Sequence, residues 1–347
     1  MARILVTGAS GFVGSFIVSE GLKVGHEMWA GMRRSSSRQY LSDERIRLAE
    51  LDLSSLDTLR HQLSALRSQI GGTGWDYVVH AAGATKSRTR DGFFHTNTLG
   101  TQNLVAALIA EGMVPRRFVF VSSLSVFGPV REEPVPTPSS PFAYAPILLD
   151  DTPSPNTAYG ESKLKAEEFL RGTKDFPYVI LRPTGVYGPR EKDYFLMAKS
   201  IVQHIDFAVG FKKQEITFIY VLDLVRAIYL ALEAEGVEGG SYFLTDGCVY
   251  DSRRFSDLLQ KELGVKHVLH ITAPLWFLRL VCAVSGTVSG WFGKMSTLNL
   301  DKYHILSQRN WQCDIEPARR DLGYQPQWQL ERGVAESVRW YKENGLL

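Results

Sequence analysis

Residues 7–14 read Thr7-Gly8-Ala9-Ser10-Gly11-Phe12-Val13-Gly14, directly after a short apolar run and directly before a segment of helical periodicity. Glycine has no Cβ atom, so glycines at this spacing permit a tight turn and let a pyrophosphate reach the amides at a helix N-terminus. No lysine follows, which excludes the kinase-type phosphate loop. The stretch predicts a dinucleotide-binding turn, and an ordinary strand-to-helix turn is the alternative. The residues assigned to the cofactor here are Thr7, Gly8, Ser10, Gly11, Phe12, Val13 and Gly14.

Short apolar runs alternate with longer helical segments through most of the chain. Strands are predicted at 3–7, 27–32, 45–51, 77–81, 117–122, 178–182 and 241–245. Several are continuous β-branched or aromatic runs, as strands buried on both faces should be. The alternation predicts an α/β fold with a doubly wound parallel sheet of about seven strands, the Rossmann arrangement. We expect 1–182 and 216–246 to form this dinucleotide-binding domain, and 183–215 and 247–347 to form a smaller, mostly helical substrate-binding domain interleaved with it.

The amino-acid composition argues against several classes of partner and site. Of the 347 residues, 44% are hydrophobic and 22% charged, and the formal net charge is +2. This ordinary globular balance offers no excess positive field, so a nucleic-acid partner is not expected. The three cysteines include no CxxC pair, which speaks against a disulfide framework or a zinc site and suits a reducing cytoplasm. We recognise no targeting segment and expect no membrane span and no metal.

The segment after the second predicted strand bears on which dinucleotide is bound. An acidic residue there, roughly 20 residues past the turn, would bind the ribose hydroxyls of NAD. The sequence instead has Arg33-Arg34-Ser35, whose guanidinium and hydroxyl groups suit a 2′-phosphate. NADP(H) is therefore favoured and NAD(H) is possible; alternatively, the arginines only solvate a surface loop. Asp52 and Leu53, after the third strand, are assigned to the border of the adenine.

A phenol and an ammonium group lie four residues apart, at Tyr159 and Lys163. On a helix these positions share a face, and a cationic lysine would lower the phenol pKa from its ordinary value of about 10. The phenol could then exchange a proton with an alcohol or ketone while hydride moves to or from a nicotinamide. Ser122 and Ser123 end the fifth predicted strand, at the edge where doubly wound sheets bind ligands, and a serine hydroxyl there would polarise the same oxygen.

Together these motifs resemble the extended short-chain dehydrogenase/reductase family. The matching stretches are TGASGFVG, His80-Ala81-Ala82-Gly83, NTLGTQNL, SSLSVFG, YGESK, residues 182–189 (RPTGVYGP), YVLDL and LGYQP, and they cover nearly the whole chain. The resemblance implies that Ser123 is the catalytic serine, Tyr159 the acid/base and Lys163 the lysine that lowers its pKa and holds the ribose. It implies a supporting or proton-relay role for Asn97, and a homodimer formed through the helices of Asn97 and Tyr159. Further cofactor contacts that it implies are Ala81, Ala82, Gly83, Ser122, Tyr159, Lys163, Pro183, Gly185 and Val186.

Departures from the family pattern favour one branch. Leu124-Ser125 follow Ser123 where sugar 4,6-dehydratases carry an Asp-Glu pair, so dehydration is not expected. Gly185 stands where many sugar-nucleotide enzymes have an asparagine that holds a diphosphate. The stretches at 122–128, 298–302, 311–314 and 340–341 resemble the 3β-hydroxysteroid dehydrogenase-like or dihydroflavonol reductase-like branch. This branch implies a hydrophobic substrate of sterol or β-keto type.

Two segments interrupt the strand–helix alternation. Eight prolines lie between 129 and 155 and predict an irregular excursion, either a flap over the site carrying Phe142 and Tyr144 or an inert surface loop. Residues 275–292 are the most apolar stretch. They predict a lid or a helix in peripheral contact with a membrane surface, and the alternative is that Trp276, Phe277, Leu280 and Val281 simply form the core of the small domain.

The sequence thus predicts an NAD(P)-dependent dehydrogenase or reductase that interconverts a secondary alcohol and a ketone on a hydrophobic small molecule. A nucleotide-sugar epimerase that recycles tightly bound NAD is the enzymatic alternative. The second alternative is a protein without catalytic activity that senses NADP, although such a sensor would not need the Ser-Tyr-Lys set.

Overall fold

The computed structural model describes residues 1–72, 74–135, 143–291 and 300–347. Its strands are β1 (Arg3–Thr7), β2 (Glu27–Met32), β3 (Arg47–Glu50), β4 (Tyr77–His80), β5 (Arg117–Val121), β6 (Tyr178–Pro183), β7 (Gly185–Tyr187), β8 (Ile205–Val209), β9 (Glu215–Ile216), β10 (Phe218–Tyr220), β11 (Ser241–Leu244), β12 (Tyr250–Asp251) and β13 (Leu269–Ala273). Its α-helices are α1 (Phe12–Lys23), α2 (Leu56–Gln69), α3 (Arg90–Phe93), α4 (Gly100–Ala110), α5 (Ala158–Gly172), α6 (Asp193–Val202), α7 (Val221–Glu233), α8 (Arg254–Leu263), α9 (Leu275–Trp291), α10 (Leu300–Ser307), α11 (Glu316–Leu322) and α12 (Leu330–Glu343).

The main sheet is parallel and has seven strands in the order β11-β6-β5-β4-β1-β2-β3. Each of the seven predicted strands lies in it, so the predicted fold class is confirmed. The largest difference in bounds is at β3, which was expected from 45. Arg45 lies instead in a turn, where the Asp43 carboxylate accepts hydrogen bonds from its backbone and its guanidinium.

The strands are buried because helices cover both faces of the sheet. Alternate residues of β1 face opposite sides: Leu5 packs with α2 and α4, whereas Ile4 and Val6 pack with α1 and α7. All three side chains are completely buried. The apolar run that identified β1 in the sequence is therefore the centre of two hydrophobic layers.

The strand order reverses between β1 and β4. One half of the sheet runs outward through β2 and β3, and the other through β5, β6 and β11. In open parallel sheets, ligands bind at the carboxyl ends of the strands beside such a reversal. The glycine turn, residues 81–83, the serine pair and Pro183 all follow or end these strands, so the topology brings them to one crevice.

The remaining strands form two-stranded sheets that sequence patterns did not predict: β7–β10, β9–β12 and β8–β13. Strands of two to five residues are too short for apolar alternation to distinguish them from loops. The mostly helical region predicted over 247–347 is present and contains α8 to α12. The proposed division into interleaved domains stays a prediction.

The two irregular segments differ in how far the structure describes them. Residues 136–142, with Phe142, lie outside the described residues, and the described parts of 129–155 form no helix or named strand. Helix α9 covers almost all of the apolar stretch 275–292 and leaves Trp276, Phe277 and Leu280 exposed. The alternative that these three side chains form core is therefore wrong. Within the described ranges, no helix combines the length and apolarity needed to cross a bilayer.

Candidate active site

The glycine turn is shaped by close backbone contacts. Gly8 has a φ of +70°, and a Cβ there would lie 2.7 Å from Ala82 Cα. A Cβ on Gly14 would lie 2.2 Å from the Gly8 carbonyl oxygen. Gly11 begins α1 without a side-chain cap, and the first turn of the helix carries no acid. The free amides and the positive helix end therefore face the crevice, and they fit a pyrophosphate.

Gly14→Ala is expected to weaken dinucleotide binding about tenfold or more, because the added methyl group forces the Gly8 carbonyl to move. Titration of intrinsic fluorescence with NADPH measures the change. Gly172→Ala is the matched control, since a Cβ there meets nothing within 4 Å. Equal affinities for the two variants would contradict the assignment of this turn.

The two serines after β5 face different partners. Ser123 lies next to the phenol of Tyr159, near the start of α5, and Ser122 is buried with its hydroxyl donating to Glu167 Oε1 at 2.6 Å. Burial raises the pKa of Tyr159, and the Ser123 hydroxyl opposes that increase. The sequence expectation had the opposite sign, a pKa lowered by Lys163. The phenol thus keeps its proton at neutral pH and is suited to donate it.

Lys163 is held beneath the site by the sheet. Its Nζ donates to the Val121 carbonyl at 2.9 Å and lies 4.7 Å from the centre of the Phe120 ring. Burial lowers the pKa of Lys163 to about 8, and the charge of Glu167 opposes that decrease. A Cβ on Gly83 would lie 3.1 Å from this Nζ, so the glycine after β4 gives the ammonium room. Lys163 could be identified from the sequence, but its lowered pKa could not, because that results from burial.

Asn97 lies in a wide turn of π-helix, Phe94–Leu99, between α3 and α4. Its side chain accepts from the Ala84 amide at 2.7 Å and donates to Ser162 Oγ at 2.9 Å. Ser162 in turn donates to the Tyr159 carbonyl at 2.7 Å. Asn97 therefore fixes the loop after β4 against the helix that carries the phenol. This geometry agrees with the supporting role among the two that the resemblance implied.

His80 connects the glycine turn with that π-helical turn, a link that sequence reasoning missed. Its ring is completely buried, and burial lowers its pKa to about 3, so the imidazole is neutral. Thr101 donates its hydroxyl proton to the Asn97 carbonyl at 2.7 Å and therefore accepts from His80 Nε2, 2.9 Å away. This network assigns the His80 tautomer, leaving Nδ1 to accept from the Thr7 hydroxyl at 2.6 Å.

A buried ion pair lies next to Ser122, behind the candidate catalytic side chains. Glu167 and Arg182 are fully or almost fully buried, and two hydrogen bonds of 3.0 and 2.7 Å join them. Arg182 also stacks between the rings of Phe127 and Phe243, at 5.1 and 5.6 Å. Burial alone would raise the pKa of Glu167, but the guanidinium holds it below its ordinary value. The pair joins α5, β5 and β6 at the site.

The residues predicted to bind the adenosine end lie on the other side of the crevice. Arg33, Arg34 and Ser35 are exposed after β2, and the guanidinium of Arg33 contributes to the lowered pKa of Asp52, after the hydrogen bonds from Ser54. The Leu53 carbonyl accepts from Asn103, 2.8 Å away. Arg33 and Asp52 therefore lie near each other on this side of the crevice.

Arg190, which sequence reasoning missed, connects this adenosine region to α1. Its guanidinium lies 4.2 Å from the Phe16 ring centre and 4.4 Å from that of Tyr40, and it donates to Ser15 Oγ at 2.9 Å. The loop that follows Arg33 is thereby packed onto the helix of the glycine turn.

The segment after β6 carries the last of the predicted cofactor contacts. Pro183 ends β6 in the core, and Gly185 and Val186 are half-buried in β7. A Cβ on Gly185 would lie 2.7 Å from the hydroxyl of Tyr194, in α6. The phenol thus occupies the place where an asparagine side chain would begin. Tyr194 was not identified from the sequence, because its contact depends on how α6 packs.

No group of His, Cys, Asp and Glu side chains among the described residues is arranged to hold a metal ion.

Comparisons with known proteins come from a family model, a curated sequence and solved structures. A model described as "NAD dependent epimerase/dehydratase family" matches residues 4–244. A 3-beta-hydroxysteroid dehydrogenase of Mycolicibacterium neoaurum is 25% identical, and the match covers 99% of this chain and 92% of that protein. Two solved structures share the fold, each with a TM-score of 0.74. One is dTDP-glucose 4,6-dehydratase from Bacillus anthracis in complex with NAD, which is 18% identical over 99% of this chain and 97% of that one. The other is UDP-glucose 4-epimerase from Thermotoga maritima with UDP-glucose, which is 20% identical over 99% of both chains.

Proposed function

Because the chain belongs to the NAD dependent epimerase/dehydratase family, we propose that it interconverts a secondary alcohol and a ketone on a hydrophobic small molecule. The observation that carries this proposal is the half-buried Tyr159, whose phenol lies beside Ser123 at the edge of the crevice that begins with the glycine turn. The nicotinamide of the cofactor supplies or accepts the hydride. The remaining chemistry, which is to move one proton and to polarise one carbonyl, belongs to the chain.

Each side chain has one role in ketone reduction. Ser123 donates a hydrogen bond to the carbonyl oxygen, which favours negative charge on that oxygen. Tyr159 Oη gives its proton to the same oxygen, which becomes the alcohol hydroxyl. Lys163, held by the Val121 carbonyl, places a positive charge behind the phenol and offers donors to a ribose. In the reverse direction the phenolate takes the alcohol proton.

Three observations support a hydrophobic substrate over a nucleotide sugar. Tyr194 occupies the space next to Gly185 where a diphosphate-binding asparagine would stand. Leu124 and Ser125 supply no acid for dehydration. The curated relative above is named as a hydroxysteroid dehydrogenase and matches almost the full chain, although at only 25% identity. NADP(H) is the favoured cofactor in this proposal, on the two exposed arginines after β2.

Arg33→Ala is expected to weaken NADPH binding about tenfold or more while changing NADH binding little, because only NADPH carries the 2′-phosphate. Paired titrations with the two cofactors measure the ratio. Arg38→Ala, an exposed arginine in the same loop, is the control. Equal losses for NADPH and NADH would mean that Arg33 does not recognise the phosphate.

The test of the proposed activity is an assay of the purified chain with NADPH or NADH and a panel of sterol and β-keto ketones. Consumption of reduced cofactor in proportion to alcohol formed supports the proposal. One equivalent of retained nucleotide with no net oxidation of NADPH would favour a nucleotide-sugar epimerase instead. Normal cofactor affinity without turnover on any substrate would favour the sensing module.

We also propose that the chain forms a homodimer through the helices of Asn97 and Tyr159, as the family resemblance implies. Light scattering coupled to gel filtration tests this.

A further inference from the structure

The sheet formed by β8 and β13 has one face made entirely of apolar side chains. In the parallel register, Ile271 pairs with Phe207 and Leu269 pairs with Ile205. The intervening residues His270 and Asp206 point to the opposite face, where they are 2.9 Å apart and also contact Arg253. The alternation therefore places the buried Asp206 and the half-exposed His270 on the face toward α8, and the apolar side chains on the other face.

That apolar face continues onto neighbouring segments. Gly210 follows β8, donates to the Ala273 carbonyl at 2.9 Å and lies next to Leu275 at the start of α9. Helix α9 buries Leu278 and Cys282 but exposes Trp276 and Leu280. We call these exposed side chains the apolar face, and their exposed fractions range from 37% to 77%. Its members are Phe207, Phe211, Leu269, Ile271, Trp276 and Leu280.

The segments that form the apolar face carry basic residues and no acidic ones. Residues 263–300 contain no Asp or Glu, and neither do residues 207–213. Lys212, Lys266 and Arg279 lie in these segments and are exposed. Groups of large exposed apolar side chains on a protein surface mark interaction sites. A partner that binds the apolar face must therefore present an apolar surface with negative charge at its edge.

We propose that the apolar face binds the surface of a phospholipid bilayer that contains anionic lipids. The aromatic and aliphatic side chains enter the boundary between headgroups and acyl chains, and the basic residues lie against the headgroup phosphates. A second copy of the chain is the weaker candidate. A two-fold contact through this face would oppose Lys266 and Arg279 to basic residues of the partner, which costs free energy.

The proposed contact is peripheral and independent of the catalytic proposal. Among the described residues, no helix is able to span a bilayer. Its relation to the site is spatial: α9 packs on α10, and Asp301 of α10 accepts a hydrogen bond from the Ala158 amide, next to Tyr159. The bound surface would therefore lie close to the helix that carries the phenol.

Co-sedimentation of the full chain with vesicles tests the proposal. We expect binding to phosphatidylcholine vesicles that contain phosphatidylglycerol, about tenfold weaker binding to phosphatidylcholine alone, and a loss of that difference at high salt. Trp276→Gln and Leu280→Gln should each weaken binding about tenfold, because each removes an exposed apolar side chain that the bilayer would bury. Leu48→Gln, in the edge strand β3, is the matched control and should bind as the native chain does.

The outcomes separate lipid from protein as the occupant of the face. Lys266→Glu combined with Arg279→Glu should remove the preference for anionic vesicles and leave the fold and NADPH affinity unchanged. The proposal is overturned if the native chain fails to sediment with anionic vesicles at low salt. It is also overturned if Trp276→Gln and Leu280→Gln convert a dimer into a monomer without changing lipid binding, since a second copy would then cover the face.

Discussion

Tyr159→Phe is expected to lower the turnover number for ketone reduction by a factor of about 10²–10⁴, the range that a positioned proton donor contributes. The change removes one hydroxyl and keeps the aromatic ring, whose edge contact with Phe93, at 6.3 Å between ring centres, does not involve that oxygen. NADPH affinity should stay within about threefold of the native value, a difference of less than 1 kcal/mol. Steady-state assays and NADPH titration measure the two quantities on the same preparation.

A control with the same chemical change separates this role from a general effect on the fold. Tyr77 begins β4 at the amino edge of the sheet, away from the crevice, and Tyr77→Phe should leave turnover nearly unchanged. Turnover of Tyr159→Phe within about tenfold of the native chain, a difference of roughly 1.4 kcal/mol, would rule out the phenol as the proton donor.

The parts of the molecule that could be predicted from the sequence have local signals. Residues 4–6 are a continuous apolar run because they lie between two helical layers, and the glycines after β1 are spaced as the turn requires. Tyr159 and Lys163 are close because a helix repeats every 3.6 residues, whatever surrounds it. The position of these groups in one crevice also followed, because parallel strands bring their carboxyl ends to a common edge.

The parts that could not be predicted depend on packing between distant segments. The direction of the Tyr159 pKa is the clearest example: the sequence predicts that Lys163 lowers it, but burial of the phenol, which the sequence does not show, raises it. Tyr194 reaches Gly185 only because α6 packs over β7. A weak signal for the buried pair did exist, since Glu167 follows Lys163 by four residues and Arg182 directly precedes Pro183.

Glu167→Gln is expected to move the alkaline limb of the pH–rate profile to lower pH. The pKa of Lys163 is about 8, so kcat/KM for reduction should fall as pH rises through that value and the ammonium loses its charge. The negative charge of Glu167 raises the pKa of Lys163, and its removal must therefore lower it. The profile of kcat/KM against pH measures the shift, and a residue that only supports the fold would not produce one.

The same substitution has a separate effect on stability. It leaves the buried Arg182 guanidinium without a counter-charge, which should cost about 3–5 kcal/mol in the free energy of unfolding. The folded-state pKa of Glu167 is depressed, so the native chain should lose the contribution of this pair only as pH falls through that value in acid, whereas the variant lacks it at every pH. Urea unfolding at neutral and acid pH distinguishes these cases.

Two further variants keep the Glu167 prediction testable if Glu167→Gln folds poorly. Glu168→Gln removes the neighbouring exposed carboxylate, which pairs with Lys165 at the surface, and should change neither the pH limb nor the stability by a measurable amount. Replacing Glu167 and Arg182 together by methionine removes both buried charges and should restore most of the stability. The alkaline limb should nevertheless stay shifted in this double variant, because the carboxylate that raised the pKa of Lys163 is gone. An unshifted limb would mean that Glu167 holds α5 in place without acting on the lysine.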